Sequence, residues 1–220
     1  MTKPLTISPS SLSLMKECER CFWLTKHKIW QRPSSPFPSL PNGVDRILKA
    51  HFDKFMRRGE LPPELKKNGL GKEVKLFTDE KLLALWRNNR KGLEWTDEEG
   101  FVILRGAVDN ILVETASKKL IVIDYKTKGF PVKEDAHEYY QNQLDIYNFL
   151  LRMNGYPTED YAYLLFYVPS EVTETGEMVF DTVLRKVEIE PTIGELFFEE
   201  AVNLLKGKCP AKACGWCKGI

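Results

Sequence analysis

Two aspartates and a lysine lie where apolar, strand-like segments are interrupted or end. Asp109 interrupts the apolar run 101–114, and Asp124 and Lys126 close the run that begins at Leu120. An ionised carboxylate is unfavourable in an apolar setting unless a cation or a hydrogen-bond donor compensates it. If the two segments pair, the carboxylates repel each other unless a divalent cation lies between them. Carboxylate oxygens suit Mg²⁺ or Mn²⁺, so the sequence predicts a metal site here.

Lys126 would lie beside that metal, because side chains two positions apart share one face of a strand. An ammonium group there can orient or help deprotonate a water, and it stabilises negative charge that builds on a phosphate. The alternative is structural: Asp109 caps a turn with Asn110, while Asp124 and Lys126 form a same-face ion pair. A lone Asp-x-Lys tripeptide is common by chance, so these residues alone do not decide between the two interpretations.

All five cysteines lie near the two ends of the chain. Cys18 and Cys21 form one CxxC pair, Cys214 and Cys217 form a second, and Cys209 precedes the second pair. Two chelating pairs so far apart are typical of one shared metal centre, and four thiolates suit either Zn²⁺ or an iron–sulfur cluster. Such a centre would join the ends of the fold. The alternative is that the cysteines are free and buried, with CxxC spacing by chance.

The period of the apolar residues predicts the elements that position these groups. Polar residues 115–119 favour a hairpin turn, and the proline-rich segment 32–43 favours an extended connector. This order of elements predicts an α/β fold, with helices against the faces of a sheet and a helical N-terminal addition. Helical spacing recurs at 12–23, 44–58, 79–91, 135–152 and 192–206, and strand-like runs occupy 101–114, 120–128, 161–168 and 178–189.

Three segments, GAVDNILV, LIVIDYKTK and YYQNQLDIYNFLL, follow one another in this chain. Together they resemble the RecB-type branch of the PD-(D/E)XK nucleases, which includes the exonuclease domains of RecB and AddB proteins and the CRISPR-associated adaptation nucleases. The resemblance implies a restriction-endonuclease-like mixed central sheet flanked by helices. It also implies that Asp109 and Asp124 bind the catalytic metal, that the backbone carbonyl of Tyr125 is a further ligand, and that Lys126 completes the (D/E)xK pair.

Gln143 and Tyr147 match the QxxxY motif of that branch, whose residues lie near the active site and the DNA. Their i, i+4 spacing places both on one helix face. Without the resemblance, Tyr147 is typical of a core aromatic and Gln143 of a surface residue. The branch also has a histidine or acidic metal ligand on an earlier helix. Asp45 is the preferred match and His51 its rival, because histidine suits transition metals better than magnesium.

The segment from Ser8 to Phe22 resembles the SxSxLxxxxxCPxxF-like start of many such nucleases. In those proteins an N-terminal cysteine and cysteines at the extreme C-terminus hold a [4Fe–4S] cluster, with Zn²⁺ as the alternative for four thiolates. In either case the implied role is structural, pinning the N-terminal helix to the C-terminal tail. The predicted ligands are Cys18, Cys21, Cys214 and Cys217, with Cys209 as the rival of Cys21.

A length of 220 residues with 43% hydrophobic and 29% charged residues is typical of a soluble globular protein, and it predicts one domain. Within it we expect a helical N-terminal part at about 8–95, a catalytic core at about 100–190 and a cysteine-rich tail at 205–220. No signal-peptide pattern or run of roughly 20 apolar residues occurs. We therefore expect no membrane association and an intracellular, cytoplasmic location.

Charge is nearly balanced over the whole chain, with a formal net charge of +1, but it is unevenly distributed. Residues 45–91 contain thirteen Lys or Arg and seven Asp or Glu. A surplus of this kind can attract a phosphate backbone, although charge runs are often only solvated helix faces.

The leading hypothesis is therefore a Mg²⁺- or Mn²⁺-dependent nuclease that hydrolyses phosphodiester bonds, acting as a DNA exonuclease with a preference for single strands. Its expected partners are DNA that is single-stranded or has a free end, and proteins of repair or CRISPR adaptation. The alternative is a nucleic-acid-binding or complex-assembly subunit that keeps the fold without cutting. An iron–sulfur redox protein is a weaker third hypothesis, because nothing in the sequence resembles a flavin or electron-partner site.

Overall fold

The computed structural model describes residues 3–33 and 39–220. Its helices are α1 Pro9–Glu17, α2 Glu19–Lys26, α3 Ser39–Arg58, α4 Pro63–Lys67, α5 Glu80–Trp86, α6 Gln141–Met153 and α7 Pro191–Lys206. Its strands are β1 Leu5–Ile7, β2 Val74–Leu76, β3 Leu93–Thr96, β4 Val102–Gly106, β5 Asn110–Glu114, β6 Leu120–Thr127, β7 Tyr161–Val172 and β8 Met178–Glu188. A 3₁₀ helix, Glu134–Tyr140, leads into α6.

The strands form two sheets. The larger has five strands in the order β2-β5-β6-β7-β8, and the smaller has three in the order β1-β4-β3. In the larger sheet β6 and β7 are parallel and the other neighbours are antiparallel. Helices α3 and α6 contact β6, and α7 packs against α6. The predicted α/β class, with mixed sheet and flanking helices, is confirmed.

The predicted hairpin is also confirmed, since β5 and β6 pair across a turn at residues 115–119. Six consecutive residues of β6, Leu120 to Tyr125, are buried. A strand buried on both faces reads as a continuous apolar run because neither of its faces meets water. The run ends near residue 126, where the side chains become partly exposed.

The prediction of one strand over 101–114 is wrong, because the chain leaves the smaller sheet after β4 and enters the larger one at β5. Between them the backbone bonds to the end of α5 instead of to a strand. Val108 N donates to the Trp86 carbonyl at 3.2 Å, and Arg87 Nε donates to the Asp109 carbonyl at 2.7 Å. Buried backbone groups need such partners, so α5 decides where the apolar run divides.

The prediction of one helix over 12–23 is also wrong, since α1 and α2 meet at Cys18. The backbone of Cys18 is extended, with φ −164° and ψ 106°. Its Sγ accepts the backbone N–H of Cys21 at 3.5 Å and so caps the start of α2. Cys18 therefore lies at a helix junction, where its sulfur can turn towards the C-terminal segment.

Several other boundaries differ from prediction, including that of β7, which extends to Val172 beyond the predicted 161–168. Helix α3 begins at Ser39, inside the predicted connector 32–43, because Pro41 falls in the first helical turn where no amide donor is required. Residues 34–38 of that connector lie outside the described part. Helix α5 ends at Trp86, and the Asn88 side chain then accepts backbone N–H groups in the turn that follows. The 3₁₀ helix replaces the first part of 135–152 and leaves Tyr139 exposed.

One apolar cluster includes side chains from both sheets and from the helices around them, with Phe22, Phe52 and Phe166 among the largest fully buried residues. None of the helices in the described part combines the length and apolar character needed to cross a membrane.

Asp145 on α6 is a charged residue inside this core. Its Oδ1 accepts hydrogen bonds from Gln141 Nε2 at 3.0 Å and from Glu190 N at 3.3 Å. Its buried Oδ2 has no hydrogen-bond partner within the described residues. Burial raises the pKa of Asp145 to about 6. Ionised Asp145 therefore destabilises the folded state, and protonation of its carboxylate removes this cost.

Asp145→Asn tests this effect, because the amide has the same shape and takes up no proton in this range. The folded wild type binds a proton at higher pH than the unfolded chain, so it should gain stability as pH falls from about 7 to about 4.5. We expect the difference in unfolding free energy, wild type minus variant, to rise by about 2 kcal/mol over this window. Denaturant titrations at both pH values measure it, and a difference that does not change with pH would contradict the prediction.

Candidate active site

The register of the β5–β6 hairpin brings the two predicted aspartates together. Asn110 pairs with Ile123, so the next position along the ladder places Asp109 opposite Asp124. Asp109 Oδ2 accepts the backbone N–H of Tyr125 at 3.0 Å. Asp124 is only 1% exposed. The hairpin thus presents two carboxylates, one of them almost fully buried, at the end of an apolar ladder.

The buried carboxylate of Asp124 is not fully compensated by the protein. Lys126 Nζ lies 2.6 Å from Asp124 Oδ2, yet this oxygen has no partner in hydrogen-bonding geometry among the described residues. Burial, followed by the negative charge of Asp109, raises the pKa of Asp124, and the opposing effect of Lys126 is smaller. A hard divalent cation beside both carboxylates would supply the missing compensation, so the residues fit such an ion.

Gln143 on α6 connects the lysine, the buried aspartate and Tyr147. Its Oε1 accepts a hydrogen bond from Lys126 Nζ at 3.0 Å. Its Nε2 donates to Tyr147 Oη at 2.8 Å and to Asp124 Oδ1 at 3.3 Å. Tyr147 is buried so close to β4 that a Cβ on Gly106 would lie 3.1 Å from its ring. Tyr147 is therefore both a core aromatic and a contact of the site.

Helix α3 contributes Asp45 and Lys49, one turn apart. Lys49 Nζ lies 2.8 Å from Asp45 Oδ2 and 2.8 Å from Asp109 Oδ1, so its ammonium separates these two carboxylates. His51, the predicted rival of Asp45, faces another part of the molecule, with its Nε2 3.0 Å from Glu64 Oε1. Asp45 lies at the site and His51 does not, although Asp45 reaches Asp109 only through the lysine.

A cavity of about 400 Å³ joins these groups. Tyr125, whose backbone carbonyl is the predicted additional ligand, also lines it. The surrounding wall comes from α3, β6, α6, the link between β4 and β5, and Asn89 in the turn after α5. Its charged and amide side chains include Asp45, Lys49, Asp109, Asp124, Lys126 and Gln143.

The cysteines of the two CxxC pairs meet where the α1–α2 junction touches the C-terminal segment. Their four sulfur atoms all lie within 4.8 Å of one another, and three of the four residues are buried. Cys209 is not in this set, and its Sγ accepts a hydrogen bond from Arg20 Nη1 at 3.4 Å. Soft thiolates in this arrangement fit a thiophilic metal. The set consists of Cys18, Cys21, Cys214 and Cys217.

A family model described as the PD-(D/E)XK nuclease superfamily matches residues 6–219. The chain belongs to this superfamily. It is also similar to the crystal structure of SSO0001, with a TM-score of 0.43 and 15% sequence identity over 96% of this chain and 81% of that chain. A likeness at that level assigns no function. No curated protein matches the chain.

The candidate site includes residues that the sequence motifs do not indicate. Lys49 is one, and its spacing from Asp45 on one helix face is the only local signal for it. Arg87 is another: it holds the Asp109 carbonyl through Nε and Asp53 Oδ1 through Nη1 at 2.8 Å. Nothing in the sequence near Arg87 indicates this role, because its partners come from other elements.

The basic segment 45–91 does not act as one uniform cationic surface. Lys49 and Arg87 turn inward to the site, Arg57 pairs with a glutamate at 3.0 Å, and Lys67 lies 3.9 Å from an aspartate. Two of the partners, Asp109 and Asp181, lie outside the segment and so reduce its positive surplus, whereas Asp53 and Glu80 are already counted within it.

Replacing Lys49 by methionine removes the cation that separates Asp45 from Asp109. Because the carboxylates then lack a counter-charge, we expect the metal-free variant to lose on the order of 1–3 kcal/mol of unfolding free energy. Added Mg²⁺ or Mn²⁺ should raise its melting temperature more than that of the unaltered protein.

Thermal unfolding with and without metal measures both effects. Lys54→Met, at an exposed position of the same helix, is the matched control. Equal metal-induced shifts in the two variants would show that Lys49 does not compensate the carboxylates.

Proposed function

We propose that this chain is a metal-dependent nuclease that hydrolyses phosphodiester bonds of DNA, acting at a free end or on single strands. The observation that carries the proposal is the convergence of Asp109, Asp124 and Lys126 in one cavity of a PD-(D/E)XK chain. The preference for DNA ends or single strands rests on the RecB-type motifs. The same motifs support a role beside proteins of DNA repair or CRISPR adaptation.

Asp109, Asp124 and the backbone carbonyl of Tyr125 would hold Mg²⁺ or Mn²⁺, since hard oxygen ligands suit these ions. Asp45 is the further candidate ligand from α3. When bound, the divalent cation supplies Lewis-acid polarisation of the scissile phosphate. Asp124, buried and lacking a full set of donors, is the carboxylate that gains most from such a cation.

Lys126 would orient the attacking water and stabilise negative charge on the scissile phosphate. Its ammonium is held by Gln143 Oε1 at 3.0 Å and stands 4.5 Å from the centre of the Tyr140 ring. A donor fixed by two neighbours needs little reorganisation to stabilise charge that develops on the phosphate oxygens. Gln143 is accordingly a positioning residue, and Tyr147 fixes the orientation of its amide.

The space beside the carboxylates suits a polymeric substrate. A second cavity of about 460 Å³ adjoins the first, and the two share lining residues that include Asn89 and Ala107. It extends past Gln143 towards Ser8 and Arg105, which offer a hydroxyl and a guanidinium. A strand whose scissile phosphate lies at Lys126 could continue there, because these groups are suitable donors to a neighbouring phosphate.

Cleavage of end-labelled strands tests the proposal. With Mn²⁺ or Mg²⁺ the protein should shorten a labelled single-stranded DNA. Lys126→Ala removes a cation at the phosphate and Asp124→Asn removes a ligand of the metal, so each should lower the rate about 100- to 1,000-fold. Labels at the 5′ and 3′ ends, with a duplex and an RNA strand in parallel, report the preference for substrate and end.

Lys119→Ala, in the turn before β6, is the matched control and should retain the full rate. A strand that is bound but never cut would overturn the nuclease proposal. Full activity in Lys126→Ala would overturn only the role assigned to that lysine.

The α6 contacts predict a graded series of losses. Gln143→Met removes both the acceptor for Lys126 and the donor to Asp124, so we expect a rate loss of about 10- to 100-fold. Tyr147→Phe removes only the hydroxyl that accepts from Gln143, and its loss should be smaller, within about 10-fold. Single-turnover rates at saturating metal measure both. A larger loss in Tyr147→Phe than in Gln143→Met would contradict this order.

A further inference from the structure

The cysteine cluster has a definite size. Cys21 Sγ lies 3.5 Å from Cys214 Sγ, and Cys217 Sγ lies 3.8 Å from both Cys18 Sγ and Cys214 Sγ. No pair among the four sulfurs is farther apart than 4.8 Å. These separations limit what the four thiolates can enclose.

A single tetrahedral metal and an iron–sulfur cube require different separations. With Zn–S bonds of about 2.3 Å, four sulfurs around one zinc lie about 3.8 Å apart. In a [4Fe–4S] cluster each thiolate binds a different iron and projects outward from a corner of the cube, so the sulfurs lie more than about 6 Å apart. The observed separations fit one metal ion and do not fit the cluster that the RecB-type resemblance implies.

We propose that Cys18, Cys21, Cys214 and Cys217 hold one Zn²⁺ ion in place of a [4Fe–4S] cluster. Within each CxxC pair a backbone N–H faces a sulfur: Cys21 N is 3.5 Å from Cys18 Sγ, and Cys214 N is 3.4 Å from Cys217 Sγ. Each turn thus fixes its two sulfurs on one side of a small tetrahedron.

The charge around the site is the same for both centres, because a [4Fe–4S]²⁺ core with four thiolates also carries two negative charges, so the sulfur separations alone favour zinc. Four thiolates and one divalent ion leave two negative charges, and buried charge requires compensation. Arg32 Nη2 is 3.8 Å from Cys214 Sγ, and its Nη1 is 2.5 Å from Glu17 Oε2. Arg32 therefore places a cation directly at a sulfur of the set, while Cys18 and Cys217 are buried.

Contacts outside the cluster oppose the opening that a cube would require. Trp23 Nε1 donates to the Gly207 carbonyl at 3.1 Å, and Arg20 Nη1 donates to the Pro210 carbonyl at 2.8 Å. His27 Nε2 lies 3.1 Å from the Leu205 carbonyl. These contacts hold the end of α7 and the C-terminal segment against α2. Opening the cluster by moving the C-terminal segment away from α2 would therefore strain these bonds.

Metal analysis of the unaltered protein tests the assignment directly. Protein purified without oxygen from iron-supplemented cells should be colourless and contain one zinc per chain, with neither iron nor acid-labile sulfide. Its X-ray absorption spectrum should show one sulfur shell at about 2.3 Å and no metal–metal scattering. A brown protein with four irons and four sulfides per chain would overturn the proposal.

Reconstitution separates the preference of the site from the metal supplied by the cell. Metal-free protein given Co²⁺ without oxygen should bind one ion per chain and develop the absorption of a tetrahedral thiolate site, and stoichiometric Zn²⁺ should displace that ion. Metal-free protein given ferrous iron and sulfide should yield no cluster that survives stoichiometric Zn²⁺. A four-iron cluster that withstands zinc would overturn the proposal.

Variants test the ligand set. Cys217→Ser should lose stoichiometric zinc, whereas Cys209→Ser should retain one zinc per chain, because Cys209 lies outside the four-sulfur set. Loss of zinc in Cys209→Ser together with its retention in Cys21→Ser would overturn the assigned set. If Cys217→Ser does not fold, the metal content and spectrum of the unaltered protein still decide the proposal.

Discussion

The antiparallel pairing of β5 with β6 is the constraint on which the candidate site depends. Its register sets Asp109 opposite Asp124 at the end of a buried ladder, where like charges are unfavourable. The surrounding polar groups compensate them only in part: Lys49 contacts one carboxylate, and Lys126 and Gln143 contact the other, whose Oδ2 lacks a hydrogen-bond partner among the described residues. A slip of one residue would turn every side chain of β6 to the opposite face, so the apolar pattern and the site are fixed together.

Helix α6 follows from the same sheet. Strands β6 and β7 are parallel, so the chain must cross over between them, and a helix is the usual connection. That crossover carries Gln143 to the end of β6 where the carboxylates lie. Gly106 allows the helix to approach β4 closely, since a Cβ there would lie 2.7 Å from Leu150 Cδ1. The N-terminal part of α6 therefore carries Gln143 to the site, and Tyr147 and Leu150 further along the helix pack against β4.

The cysteine cluster supports the site at a distance. It joins the α1–α2 junction to the C-terminal segment, and α1 in turn packs against α6. Lys16 Nζ donates to Asn142 Oδ1 at 3.1 Å, next in sequence to Gln143. A metal that holds the two ends of the chain would keep α1 against the helix that positions Lys126. In this way cysteines almost two hundred positions apart in sequence would together hold α1 in place.

Local sequence determined what depends on near neighbours. Apolar runs around polar residues 115–119 predicted the hairpin and hence the Asp109–Asp124 pair, and i, i+4 spacing placed Gln143 beside Tyr147. The two CxxC pairs likewise indicated a shared centre, because their spacing is itself a chelating pattern.

Only the tertiary structure decided the features whose hydrogen-bond and packing partners come from distant segments of the chain. The run 101–114 divides because the Trp86 carbonyl and the Arg87 side chain form hydrogen bonds with backbone groups in its middle. The spacing of apolar residues within the run cannot predict these partners. Lys49 joins the site only because α3 packs over β6, and the bend at Cys18 exists because its sulfur caps α2 and meets the C-terminal segment. Spacing in sequence identifies the four thiolates, but only the folded distances between them give the size of the space that they enclose.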